Sequence, residues 1–315
     1  MSEPILRVQS AVTGRDLILL GWLADHAVLT TEQIAAGLFP SVNFAQRRLR
    51  ALLAMRLVDR FRPQRADGGS FPYHWLLAQL GVDVIAAQRG EPVPRRTHAR
   101  ERRWALTSRA NLPHLLGVND FFTSLAAHAR THPDADLQRW WSASRCQQTG
   151  AFTRHVTVPD GRLDPAALAY IPTVRPDGHG IFTSSGQSTA FFLEYDTGTE
   201  PIGRLVGKLD GYHRLARITG NLWPVLFWLP NPTRERHLHT ALTDASVGYP
   251  SATAVHDHRG AYARRPPAGD PSRPSDSHVN NPAGPVWWLH HHDGPTLPLA
   301  ALNATITART RDTAA

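Results

Sequence analysis

The stretch TTEQIAAGLFPSVNFAQRRLRALLAMRLVDRFR, residues 30–62, decides how the first third of the chain is read. Thr30-Thr31-Glu32-Gln33 places a threonine three residues ahead of a glutamine, the reciprocal capping pattern that opens a helix, here over Gln33 to Leu38. Pro40 closes it. A further helix is predicted from Ser41 to Leu57. At ~100° per residue, Ala45, Leu49, Leu52 and Leu53 fall on one stripe, and Asn43, Arg47, Arg50 and Ala54 fall on the opposite one. An apolar face backed by polar and cationic groups with small spacers suits a helix lying in the major groove of DNA.

Upstream, the segment from Thr13 to His26 sets Leu17, Leu20, Leu23, Ala24 and Ala27 at helical spacing. Downstream, two short strand patterns, Val58 to Arg62 and Phe71 to Leu77, flank the turn Asp67-Gly68-Gly69-Ser70 and predict a β-hairpin. A helix over Gln79 to Gln88 closes the segment. Three helices and a hairpin in this order predict a winged helix-turn-helix over residues 1–91. Arg60, Arg62 and Arg65 lie on its wing, placed to hold the DNA backbone, while Asn43, Arg47 and Arg50 reach base edges or flanking phosphates.

Beyond it, Arg95, Arg96, Arg100, Arg102 and Arg103 crowd into a stretch nearly without aliphatic residues, which reads as a basic linker over residues 92–105. A second domain is predicted over residues 106–263. It would hold a helix from Pro113 to His128, strands at Phe152 to Val158, Tyr170 to Arg175, Ala190 to Asp196 and Leu222 to Leu229, and a helix from Pro201 to Ile218. Mixed strands and helices of this kind indicate an α/β domain. Residues 264–285, rich in proline and small polar residues, read as a disordered insertion. Residues 286–315 would return as a last strand and a tail.

The whole chain of 315 residues carries 34 Lys and Arg against 26 Asp and Glu, a formal charge of +8. Nearly all of its cations are arginine, which favours bidentate phosphate and guanine-edge contacts. Its single cysteine, Cys146, excludes an intrachain disulfide framework and fits a reducing cytoplasm. Neither a membrane-spanning apolar run nor a basic-then-apolar leader is legible, so no membrane partner is expected. A phosphate-cradling G-x-x-x-x-G-K-[ST] loop and a G-x-S-x-G elbow are both missing, which argues against ATP hydrolysis and serine nucleophiles. His290-His291-His292 reads as a strand edge of alternating exposure, and no ligands are assigned to it or to His237 and His239.

One constellation in the second domain carries chemistry. Arg175-Pro176-Asp177 ends a strand pattern, and Phe192-Leu193-Glu194-Tyr195-Asp196 follows on another, where Glu194 and Asp196 share a face. Two adjacent carboxylates repel unless a cation lies between them. With Asp177 they would form an oxygen cage for Mg2+ or Mn2+, an ion that polarises a phosphodiester and activates an attacking water. Lys208, on a helix that Thr199 could cap, is the candidate cation for a transition-state phosphate. The structural alternative pairs Glu194 and Asp196 with arginines such as Arg204.

Asp177 followed by Glu194-x-Asp196 is similar to the PD-(D/E)xK pattern of restriction-endonuclease-like nucleases. Asp196 stands where that pattern keeps lysine, so either Lys208 supplies the role from the helix or the site does not cleave. The winged helix, Arg175-Pro176-Asp177, Phe192-Leu193-Glu194-Tyr195-Asp196-Thr197-Gly198-Thr199-Glu200 and Lys208-Leu209-x-x-Tyr212 together resemble the replication-relaxation family of plasmids and integrative elements. The resemblance runs from about Thr13 to Leu242, and Val286-Trp287-Trp288 is similar to that family's closing strand. It implies a two-domain α+β/α/β protein, an N-terminal winged helix-turn-helix followed by a C-terminal restriction-endonuclease-like α/β domain, acting in replication or mobilisation of an extrachromosomal element. Double-stranded DNA is then the expected partner, with a relaxase, a replication initiator or a second copy of the chain as candidate protein partners. A transcriptional regulator with a non-catalytic dimerisation or interaction domain is the alternative.

Overall fold

A computed structural model describes residues 11–64, 70–107, 111–158, 161–256 and 281–314. These fall into two compact units divided between residues 130 and 131, with the C-terminal segment belonging to the second. No helix among the described residues is long and apolar enough to cross a membrane.

The first unit opens with α1 (Gly14–His26), whose end is closed by Thr13: its hydroxyl accepts from Asp16 N while its own N–H donates to the Asp16 carboxylate at 2.7 Å. β1 (Leu29–Thr30) leads into α2 (Thr31–Leu38), and the capping box forms as the sequence predicts. Thr30 N donates to Gln33 Oε1 at 3.0 Å, and Gln33 N donates to Thr30 Oγ1 at 3.2 Å. α3 (Val42–Ala54) buries Ala45, Leu49 and Leu52. β2 (Val58–Phe61) and β3 (His74–Leu77) pair antiparallel from Val58 with Leu77 to Phe61 with His74, and β1 adds to the other edge of β3. α4 (Gln79–Arg89) then packs so closely that a Cβ on Gly81 would lie 2.0 Å from the Leu57 carbonyl oxygen.

The predicted linker is partly helical. α5 (His98–Thr107) runs through it, and Arg102 Nη2 donates to the carbonyls of Leu23 and Ala24 at the end of α1. α6 (Leu112–Thr131), read from the sequence as the start of the second domain, belongs to the first unit apart from its last residue. The reason is burial: Leu106, Leu112 and Leu116 complete a core with Val28 and Leu76, and Asn119 Nδ2 caps the Val28 carbonyl at 2.7 Å. The boundary predicted at residues 105 and 106 is thus corrected to 130 and 131.

The second unit is built on a seven-stranded sheet of order β10-β9-β8-β7-β6-β5-β4. Its elements are β4 (Asp136–Ser142), α7 (Ala143–Cys146), α8 (Pro165–Ala169), β5 (Gly178–Ser184), β6 (Gln187–Tyr195), α9 (Ile202–Thr219) and β7 (Val225–Leu229). They continue through α10 (Pro232–Asp244), β8 (Ser251–Val255), β9 (Pro285–Leu289), β10 (Leu297–Pro298), a short 3-10 turn and α11 (Leu302–Ala314). β6, β7 and β8 are parallel, joined by α9 and α10 as crossovers, and the other pairings are antiparallel. β5 and β6 meet at the two-residue turn Ser185-Gly186, where both residues have positive φ (51° and 74°), the backbone of the tight hairpin turns that match strand twist. Asp134 steadies it by accepting from Ser185 N at 3.0 Å.

Two predicted strands are not formed. Residues 152–158 make turns with one isolated bridge at Thr157, and residues 170–175 are irregular, whereas β4 and β5 were not anticipated. Phe152 looks like strand material because it is apolar. It is buried instead among Trp141, His179, Phe192 and Trp223 from within a turn. Of the predicted insertion at residues 264–285, residues 264–280 lie outside the described residues, while 281–285 are ordered: Ala283 is buried and Pro285 begins β9.

Candidate functional site

On α3 the polar stripe stands clear of the core. Asn43, Arg47 and Arg50 are exposed, and among the described residues neither arginine has a carboxylate partner. Arg48, one position away, is spent differently: its Nε donates to Asp16 Oδ1 at 2.8 Å and ties α3 to α1. Phe44, which the sequence reading passed over, is 53% exposed beside this stripe, with the Arg47 guanidinium 4.6 Å from its ring centre. Exposing an aromatic ring on a helix whose other face is fully buried is the signal that could have found it.

The hairpin arginines are less free. Arg60 lies over Tyr73 at 3.9 Å and 5.5 Å from the Trp75 ring centre, and Arg62 donates to the Phe71 carbonyl at 2.7 Å while also facing Tyr73. Both are held by cation–π contact on the hairpin, with Arg62 exposed. Arg65 lies outside the described residues.

In the second unit β6 and the residue that follows it carry Glu194 and Asp196 toward the two crossover helices, each to a different partner. Glu194 is 2% exposed. Its Oε2 accepts from Lys208 Nζ at 2.8 Å, and its Oε1 accepts from the Tyr212 hydroxyl, both on α9. The same Lys208 reaches Glu200 Oε2 at 2.8 Å. Asp177 Oδ2 accepts from Tyr195 N at 2.9 Å. Burial, reinforced by the Asp177 charge, raises the Glu194 carboxyl to about 7 against the pull of Lys208 and Tyr212. Burial opposes the Lys208 charge, but Glu194 and Glu200 overcome it and hold the ammonium protonated. Burial and Glu194 push the Tyr212 phenol up.

Asp196 is claimed by α10. Arg234 donates to both of its carboxylate oxygens, and Gly198 N adds a bond to Oδ1 at 2.9 Å. The pairing arginine is therefore Arg234 and not Arg204, which lies 3.9 Å from Glu200. Thr199 does not cap α9; that place is taken by Pro201 with no side-chain bond.

The structure brings Asp177, Glu194 and Lys208 together and binds Asp196 elsewhere. A divalent cation held by these carboxylates would have to displace partners that they already have. Asp196 is committed to a guanidinium and a backbone amide, Glu194 to an ammonium and a phenol. Among the described residues no group of three His, Cys, Asp or Glu side chains is disposed to hold a metal ion. Where the sequence predicts a cage of Asp177, Glu194 and Asp196 for Mg2+ or Mn2+, Glu194 and Asp196 lie in hydrogen-bonded networks with Lys208, Tyr212 and Arg234.

A family model described as replication-relaxation matches residues 20–226, well over half of the chain. No curated protein and no solved structure matches it.

Proposed function

The chain belongs to the replication-relaxation family, and on that premise we propose that it binds duplex DNA in the replication or relaxation of a mobile element, in the cytoplasm where such DNA resides. In this reading the first unit is a winged helix-turn-helix. α3 enters the major groove, Asn43, Arg47 and Arg50 face base edges and phosphates, and the β2–β3 hairpin rests on the backbone through Arg62. The observation that carries the reading is the pair of exposed guanidiniums on α3 with no carboxylate partner among the described residues, next to an arginine of the same helix that is paired. Unpaired cations on a rigid helix face are what counterion release from phosphate rewards.

The test is a duplex-binding titration. Replacing Arg47 and Arg50 together by alanine should weaken binding by roughly tenfold or more and lower the salt slope by about two, since each phosphate contact contributes about one unit. Thermal stability should stay unchanged, both side chains being exposed. Unaltered affinity in a folded variant removes α3 as the reading helix.

The second unit, in the same reading, serves the complex without a resident metal ion. Supercoiled plasmid incubated with the protein and Mg2+ or Mn2+ is expected to stay supercoiled. Nicked circles that disappear in Glu194→Gln would overturn this and restore the nuclease reading.

A further inference from the structure

The second unit holds a cleft of about 1020 Å³ bordered by β4 to β6, the turns at residues 151–155 and 220–223, and the start of α11. Among the described residues its charged lining is of one sign. Arg139, Arg145 and Arg154 border it, and none of them has a carboxylate partner among the described residues. Arg139 lies 3.4 Å from Nε2 of His179, a buried ring that burial, and then Arg139 itself, drive down to about 3, so it stays neutral and offsets no charge. Arg145 donates to the side chain of Gln148, a neutral partner. Burial and the neighbouring Arg145 depress the Arg139 guanidinium, the mark of like charges gathered without a counterion.

The cleft is also aromatic. The Arg139 and Arg145 guanidiniums lie 4.5 and 5.3 Å from the Trp141 ring centre, and Trp141 and Trp223 both line the cavity without being buried. Arg139, Ile181 and Ala190 are direct cross-strand partners, giving a flat floor, and Asn221 offers an amide at the rim.

We propose that this cleft is a binding site for single-stranded nucleic acid, its arginines taking phosphates and its Trp141 and Trp223 rings taking unpaired bases. An acidic peptide would satisfy the guanidiniums and leave the indoles unused. A duplex keeps its base faces stacked inside, out of reach of these rings, whereas every unpaired base has a free π-face. The volume stands at the upper end of small-ligand pockets, ~300–1000 Å³, which suits a run of nucleotides better than one metabolite. The site is independent of the duplex grip on α3: it lies in the other unit, and it stands or falls on its own measurement.

The experiment uses the full chain and a fluorescein-labelled oligothymidylate of about twelve nucleotides, within the ~4–16 nucleotides that such sites cover. Anisotropy should show binding that weakens with salt, accompanied by quenching of tryptophan emission. Arg145→Glu with Arg154→Glu should weaken it at least tenfold. An abasic oligomer of equal length and charge should bind roughly tenfold more weakly, the loss expected when stacking is removed. Equal affinity for the abasic oligomer or for polyglutamate overturns the proposal, as does unchanged affinity in the double variant. Should that variant melt early, Arg154→Glu alone decides, because Arg154 is exposed and its replacement leaves the core intact.

Discussion

Glu194 keeps a proton that its unfolded counterpart gives up near 4.5, because burial and Asp177 hold its carboxyl at about 7. A folded state that binds the proton more tightly is favoured while the carboxyl is protonated. This contribution is complete below about pH 4.5 and is lost as pH rises through about 7. The melting temperature should therefore fall between pH 5 and pH 8, and Glu194→Gln, neutral throughout, should flatten that fall; an identical pH profile for both proteins would refute the assignment. Much of this cluster was legible in the sequence, since Glu194, Asp196 and Lys208 sit on one strand and its following helix. Arg234 was not. It stands beyond an entire helix and strand from Asp196, and only the parallel pairing of β6 with β7 brings the start of α10 to that carboxylate.

Among the elements, those whose ends are written in side-chain chemistry could be read directly. Thr30 and Gln33 give α2, and Ser41 opens α3 by accepting from Phe44 N. β4 and β5 escaped because their patterns carry little aliphatic signal. Residues 136–142 mix charge with two tryptophans, and β5 begins Gly-His-Gly, where two glycines weaken any strand reading. Those glycines lie opposite Phe191 and Leu193, so the bulk that marks a strand sits on the neighbour. At the junction of β2 and α4 the fit is closer still. Gly81→Ala would press a methyl group onto the Leu57 carbonyl, whose oxygen also accepts from Ala78 N. Forcing the helix away should cost on the order of 1–3 kcal/mol, read as a lowered denaturant midpoint with unchanged slope. A midpoint equal to that of the unsubstituted chain would show that α4 has room to move.

For the whole molecule, the formal charge of +8 resolves into arginines with distinct fates. Some are structural, such as Arg48 on Asp16 and Arg234 on Asp196, and others, on α3 and in the cleft of the second unit, have no acidic partner among the described residues. The domain boundary was misplaced in the sequence for a related reason: the run from Arg95 to Arg103 looked solvated, yet it includes Arg102, which spans back to the end of α1. The seven-stranded sheet also carries an order of assembly. Its β5–β6 pair closes through a two-residue turn, whereas β4, β7 and β8 each reach their neighbour only across a connection that contains at least one complete helix. Loop closure favours the β5–β6 hairpin first, and pairing across the longer connections carries the larger entropic cost. Until β7 pairs with it, β6 therefore keeps one edge open, and the acid of Glu194 is sealed inside only when Tyr212 of α9 settles over it.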